Sequence, residues 1–159
     1  MEEKNDEFWM RLALRQAEQA LEEDEVPVGC VVVHNGMAIG RAHNMREQLA
    51  DPTAHAEMIA LTQAAAALGS WRLHGAVVYC TLEPCCMCAG AMVNARVDRA
   101  VYGLADPKSG ACGSVLNLLQ MRGLNHRVEV LGDVLADEVL ELMRRFFEPR
   151  RRKMGGEDS

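Results

Sequence analysis

AVVYCTLEPCCMCAGAMVNARVDRAVYG, residues 76–103, is the stretch that settles the fold class. Residues 76–81 form an apolar run with β-branched and aromatic members, which predicts a short strand. Pro84 stands where a helix opens, because its fixed φ suits a first turn and its missing N–H costs nothing there. The Ala-, Met- and Val-rich run behind it predicts a helix ending near Arg96, and residues 97–103 return to strand character. Strands alternating with helices mean an α/β sandwich.

The same alternation continues outward in both directions. Upstream, an Ala- and Leu-rich stretch predicts a helix that opens near His55, after Asp51-Pro52, and stops at Leu68 before Gly69. Before it, the β-branched run 28–33 meets Asn35-Gly36 and a second short run with Met37 and Ile39, the signature of a hairpin. Residues 6–24 set Phe8, Leu12, Ala13, Gln16, Ala17, Ala20 and Leu21 along one helical side. Downstream, residues 128–131 predict a fifth strand, and residues 137–147 carry Val139, Leu142, Met143, Phe146 and Phe147 on one helical face. Pro149 is expected to end or bend that helix and release a basic tail. The expected organisation is one domain over residues 1–148 and a basic, then flexible, tail over 149–159.

A chain of 159 residues with 49% apolar and 25% charged residues is a globular domain with a single core. It holds no apolar run long enough to span a membrane, and residues 1–7 lack the basic and apolar regions of a secretory signal, so a cytoplasmic location is expected. The net charge of -6 excludes a uniformly basic nucleic-acid binder. Its distribution is uneven. Residues 1–25 hold nine acids and three bases, whereas residues 144–153 hold six bases and only Glu148 as an acid.

The six cysteines fit a metal better than disulfides, since four fall within residues 80–88 of a chain expected in a reducing compartment. Two pieces belong together: His55-Ala56-Glu57 at one helix opening and Pro84-Cys85-Cys86-Met87-Cys88 at the next. Cys85 and Cys88, three apart, share a helix face, and the positive end of the helix dipole favours their thiolates. With His55 they make three borderline or soft ligands, a set suited to tetrahedral zinc with one vertex open for water. Such a zinc lowers the water's pKa, and Glu57 is the candidate base beside it. Positions two apart on a regular helix diverge by about 200°, so His55 and Glu57 serve one site only at a helix opening. A lone Cys-x-x-Cys equally suits a redox pair or half of a structural zinc site, and a lone His-x-Glu carries no information. Together, with proline before the first cysteine, the pieces are the signature of zinc nucleobase deaminases. Cys30, Cys80, Cys112 and Cys86 read as core residues.

On these residues the chain resembles the cytidine and deoxycytidylate deaminase superfamily, and more closely the bacterial tRNA-specific adenosine deaminases. The resemblance also rests on Glu25-Val26-Pro27-Val28-Gly29, His43-Asn44, Asp51-Pro52-Thr53-Ala54, Thr81-Leu82-Glu83, Asp106-Pro107-Lys108-Ser109-Gly110, Asn125-His126-Arg127-Val128, Leu135-Ala136-Asp137-Glu138 and Arg145-Phe146-Phe147 with Arg150-Arg151. It departs from the family pattern at Met45 and Leu104. The resemblance implies a three-layer α/β/α sandwich with a mixed five-stranded sheet, a homodimer, and one zinc ion per subunit. It implies conversion of the wobble adenosine of a tRNA anticodon, in an arginine tRNA, to inosine by a zinc-activated hydroxide. Carried over residue by residue, His55, Cys85 and Cys88 hold zinc, Glu57 shuttles protons, Asn44 contacts the target base, and the Ala54 amide borders the pocket. Asp106, Lys108 and Ser109 read equally as RNA contacts or as a polar turn. Arg150 and Arg151 in the basic run are expected to meet phosphates. The rival functions are a deaminase of free guanine, cytosine or cytidine and a non-catalytic zinc-bearing RNA-binding module.

Overall fold

The structure, a computed structural model, describes residues 4–156. Helix α1 (Asp6–Glu22) leads to the hairpin of β1 (Gly29–His34) and β2 (Met37–His43). A short helix α2 (Arg46–Leu49) and the longer α3 (Ala56–Leu68) precede β3 (Val77–Leu82), α4 (Cys86–Ala95) and β4 (Arg99–Leu104). One 3-10 turn (Leu118–Gln120), β5 (Glu129–Leu131) and α5 (Ala136–Gly156) complete the chain.

The five strands form one sheet in the order β2-β1-β3-β4-β5. β1 runs antiparallel to both β2 and β3, while β3, β4 and β5 run parallel. The sheet is therefore mixed, as the resemblance implied. Alternation along the central strands sorts side chains into two cores. Cys30, Val32, Val78 and Cys80 pack with Ala60, Ala64, Ala89 and Met92 of α3 and α4. Val31, Val33, Tyr79 and Val101 pack with Trp9, Met10 and Ala13 of α1, and α5 joins that side through Val139 and Leu142. Three layers result. Asn35 (φ 51°) and Gly36 (φ 73°) turn the hairpin in the left-handed region that both tolerate. Gly40 is needed for a different reason: a Cβ there would lie 2.3 Å from the Ala60 carbonyl oxygen, so β2 and α3 meet backbone to backbone.

Several sequence expectations are corrected. The buried side of α1 is Trp9, Met10, Ala13, Leu14, Ala17 and Ala20, and Phe8 is 40% exposed. The helix lies against both the sheet and α5, so its buried stripe is rotated toward Trp9 and Leu14 and leaves Phe8 at the edge. α5 does not end at Pro149 but continues to Gly156. Proline removes one backbone bond and crowds the preceding turn. Here the Arg150 guanidinium donates to the Phe146 carbonyl (2.7 Å) in that turn and lies 3.5 Å over the Phe146 ring. The boundary expected at residue 149 thus falls inside a helix, and residues 157–159 of the expected flexible end lie outside the described residues. Cys86 is exposed rather than core, whereas Cys30, Cys80 and Cys112 are buried. Phe146 is buried and Phe147 is 36% exposed, so only the first of the two phenylalanines packs in the core. Among the described residues, no helix is long and apolar enough to cross a membrane.

Candidate active site

The site lies beyond the C-terminal ends of β3 and β4, where ligands gather in open α/β sheets. β3 ends at Leu82, and Glu83-Pro84 carries the chain into α4 with Cys85 at its N-cap (φ -76°, ψ 177°). His55 is the N-cap of α3, also extended (φ -74°, ψ 149°). Two helix openings therefore face one point, and their positive dipole ends suit anionic sulfur. The extended backbone at His55 also resolves the directional problem of His-x-Glu, because only Glu57 lies on the helix proper.

His55 Nδ1 is 3.6 Å from Cys85 Sγ and 3.6 Å from Cys88 Sγ. Among the described residues these three form the group whose ligand atoms all lie within 4.8 Å of one another. The three groups also shift one another's protonation. The hydrogen bond from the Cys88 thiol, joined by His55, pushes Cys85 down to about 3. The same Cys85–Cys88 bond, with burial, raises Cys88, and the Cys85 sulfur raises His55. Two sulfurs and an imidazole that already share protons this closely are a donor set for zinc.

Glu57 is 4% exposed, and burial raises its carboxyl above the usual range. Its Oε1 is buried without a hydrogen-bond partner, as is Oδ1 of Asn44. Buried polar atoms are rarely left unpaired, and both of these residues line the same cavity of about 210 Å³. His55, Cys85 and Asp106 line it too, with Val26, Val28 and Leu82 as apolar wall. Cys88 sits beneath, fully buried.

The rim is built from distant stretches. Asn44 Nδ2 reaches the Val26 carbonyl at 3.5 Å, and the Met45 amide donates to the Ala54 carbonyl at 3.0 Å, joining the Asn44 segment to the His55 segment. The Ala54 amide itself donates to the Asp51 carbonyl (3.2 Å), and Ala54 is not among the cavity-lining residues. Asp106 accepts the amides of Lys108 (3.1 Å) and Ser109 (3.2 Å), closing a polar turn while it lines the cavity. Lys108 is exposed and outside the lining. Arg150 is held on α5, 3.7 Å from Asp24, and borders a second groove that shares Val26, Asn44 and Arg46 with the cavity. Arg151 is exposed and lines neither.

Sequence reasoning did not single out three residues at the site, whereas Ser109, weighed with Asp106 and Lys108, does line the cavity. Arg46 lines it too, yet sits in a polar stretch with no pattern to mark it. Glu25 and Glu83 are buried (1% and 2% exposed); Glu83, set between Leu82 and Pro84, offered a signal, whereas Glu25 closes the acidic run 22–25 and offered none. Glu25 accepts the amides of Glu47 (2.9 Å) and Gln48 (3.0 Å), fixing the opening of α2 beside Asn44. Burial would raise the Glu83 carboxyl, but bonds from the Ser114 hydroxyl and from the Cys112, Asp106 and Ser114 amides hold it below the usual range.

Comparison with known proteins agrees with this geometry. The chain is similar to the tRNA-specific adenosine deaminase of Bacillus subtilis (strain 168), at 49% identity over 148 residues, 93% of this chain and 92% of the relative. It is similar to a solved structure from work on A-to-I editing by tRNA:A34 deaminases at the wobble position of transfer RNA, with a TM-score of 0.81 and 43% identity, covering 84% of this chain and 97% of the other. A guanine deaminase structure from Bacillus subtilis is more distant, with a TM-score of 0.62, 33% identity and coverage of 64% and 65%. The MafB19-like deaminase family matches residues 4–151, nearly the whole described chain, and it is to this deaminase family that the chain belongs.

Proposed function

We propose that this chain hydrolyses the wobble adenosine of a tRNA anticodon to inosine, with water as co-substrate and ammonia as the second product. The observation that carries the chemistry is the pair of buried, unpartnered oxygens, Glu57 Oε1 and Asn44 Oδ1, in one cavity with a three-donor metal cluster. The choice of RNA rests on the similarity to tRNA-specific adenosine deaminases over 93% of the chain.

His55, Cys85 and Cys88 hold one zinc ion per subunit, which when bound supplies Lewis-acid activation of water. Glu57 takes one proton of the attacking water at Oε1 and delivers it to N1 of adenine; it then takes the second from the new hydroxyl at C6 and passes it to the departing amine, which leaves as ammonia. Burial raises its carboxyl, which suits a group that must both accept and release a proton. Asn44 Oδ1 accepts from the nucleotide and fixes its orientation, and the apolar wall of Val26, Val28 and Leu82 excludes bulk water from the base. An anticodon loop already splays its bases, so bringing one into this cavity costs less than extracting it from a duplex.

Asp106 and Lys108 form one rim of the RNA path, and Arg150 and Arg151 supply phosphate contacts from α5, extending the path past Asn44. The RNA is an anticodon stem-loop of an arginine tRNA, and the protein works in the cytoplasm. A second copy of the chain covers the apolar residues Val115, Leu116, Met121 and Leu124, each at least 39% exposed. Sedimentation of a dimer at micromolar concentration supports that assembly, and a monomer refutes it.

The deciding assay incubates the protein with an anticodon stem-loop carrying a wobble adenosine and, in parallel, with free adenosine, cytidine and guanine. Inosine confined to the RNA is expected. Ammonia from a free base would instead establish a small-molecule deaminase, and bound zinc without any product would establish an RNA-binding module.

A further inference from the structure

We propose that Glu83 is a positioning residue for this reaction: one buried carboxylate ties the 106–114 wall of the cavity to the strand end that carries Cys85. The inference rests on the functional reading above and adds what sets the distance between the metal corner and the rim.

Glu83 occupies the step between β3 and α4. Its own amide donates to the Leu104 carbonyl (2.9 Å), continuing the parallel pairing of β3 with β4 by one residue. Its side chain turns the other way, into the segment that follows β4. Oε1 accepts the Asp106 amide (3.0 Å) and the Ser114 hydroxyl, and Oε2 accepts the amides of Cys112 (3.0 Å) and Ser114 (3.2 Å). Each oxygen takes two donors, which fills its lone pairs.

The segment from Asp106 to Ser114 contains no helix and no strand, so its amides have no sheet ladder to satisfy them. One carboxylate provides that partner three times over. Gly110 shows how closely the backbone is drawn in: a Cβ there would lie 2.3 Å from the Glu83 carboxyl group. The Ala111 amide donates to the Pro84 carbonyl (2.9 Å), a second tie one residue from Cys85. Any displacement of Glu83 therefore moves Asp106 and Ser109 on the cavity wall relative to Cys85. Glu25 performs the corresponding task across the cavity for Glu47 and Gln48, and it serves as an internal control.

Glu83→Gln tests the assignment, because its amide group sets donors against donors while keeping the shape. The zinc-loaded variant is expected to hold one zinc per chain and to raise KM for the stem-loop about 10-fold or more, the loss of one hydrogen bond to a charged group. Its kcat should change by less than about threefold, since the metal corner and Glu57 remain in place. Hydrogen exchange of the RNA-free protein should quicken at the amides of Asp106, Cys112 and Ser114 and stay unchanged at Glu47 and Gln48. Ser114→Ala removes only the hydroxyl donor and should move KM and exchange in the same direction by less, which keeps the test available if Glu83→Gln does not fold. Unchanged KM and protection in both variants would overturn the assignment, as would zinc loss with the wall amides still protected. A parent protein that makes no inosine overturns the functional reading instead, and the exchange pattern still decides the role of Glu83.

Discussion

The metal corner and the rim of the cavity are assembled by different means. The corner uses two helix openings, with His55 and Glu57 two apart at one and Cys85 and Cys88 three apart at the other, and backbone conformation at two N-caps aims them at one point. The rim draws Val26, Asn44, Arg46, Asp106 and Ser109 from separate loops and loop edges, and no single regular element holds it. Buried carboxylates hold it instead, Glu25 on one side and Glu83 on the other. The corner is thus fixed by local geometry and the rim by long-range hydrogen bonds. Damage to the corner should abolish chemistry, and damage to the rim should weaken recognition.

The largest effect expected is from Cys88→Ser, which leaves a poorer ligand at the buried vertex. Zinc content measured by atomic absorption should fall well below one per chain, and inosine formation should drop by more than about 10⁴-fold, the combined loss of metal activation and base catalysis. Glu57→Ala separates metal from proton transfer. Zinc should stay bound while kcat falls about 10²- to 10⁴-fold, and a zinc-replete variant with near-normal turnover would end its assignment as the shuttle.

Truncation after Glu148 tests the rim's outer extension. Removing Arg150, Arg151, Arg152 and Lys153 should lower the slope of log affinity against log salt by about 0.7 for each phosphate that is no longer neutralised. Chemistry on bound RNA should be unaffected. An unchanged slope would place the RNA elsewhere and leave the basic end of α5 as a solvated face.

The smallest effect is expected from Asp6→Asn, far from both regions. Asp6 accepts a two-pronged ion pair from Arg99 (2.7 and 2.9 Å) and the Tyr79 hydroxyl (2.8 Å), pinning the start of α1 to the sheet. Arg99 holds its carboxyl below the usual range. A carboxyl depressed by folding contributes stability above its unfolded pKa of about 3.9 and loses it as pH falls through the folded value. The variant should therefore cost about 1–2 kcal/mol at neutral pH by chemical denaturation, with the gap closing in acid and kcat unchanged.

The difference between corner and rim also governs what could be read from residues alone. Cys-x-x-Cys after proline and His-x-Glu announce themselves because ligand spacing on a helix is local, and the structure places all four side chains together. The fold class was legible for the same reason: strand and helix patterns are local periodicities, and β1, β3, β4 and β5 each begin within two residues of their expected starts. Asp106 and Lys108 were not separable in sequence, yet the structure sets one on the cavity wall and the other in solvent. Pro149 does not end the helix, because it removes a single backbone bond and α5 runs on through it to Gly156. Phe8 misled because helical periodicity gives a face but not the direction of its neighbours.

By itself, the sequence determined the α/β layering, the hairpin at Asn35-Gly36, and the Cys85–Cys88 and His55–Glu57 pairs, since each depends on residues within one turn or one strand. Only the tertiary structure decided the rim. It brought Asn44 to Glu57, left Ala54 outside the lining, buried Glu25 and Glu83 as anchors, and kept α5 running so that Arg150 borders the groove beside Asn44. Those contacts join residues tens of positions apart, and no local pattern encodes which loop a buried carboxylate will find when the strands pair.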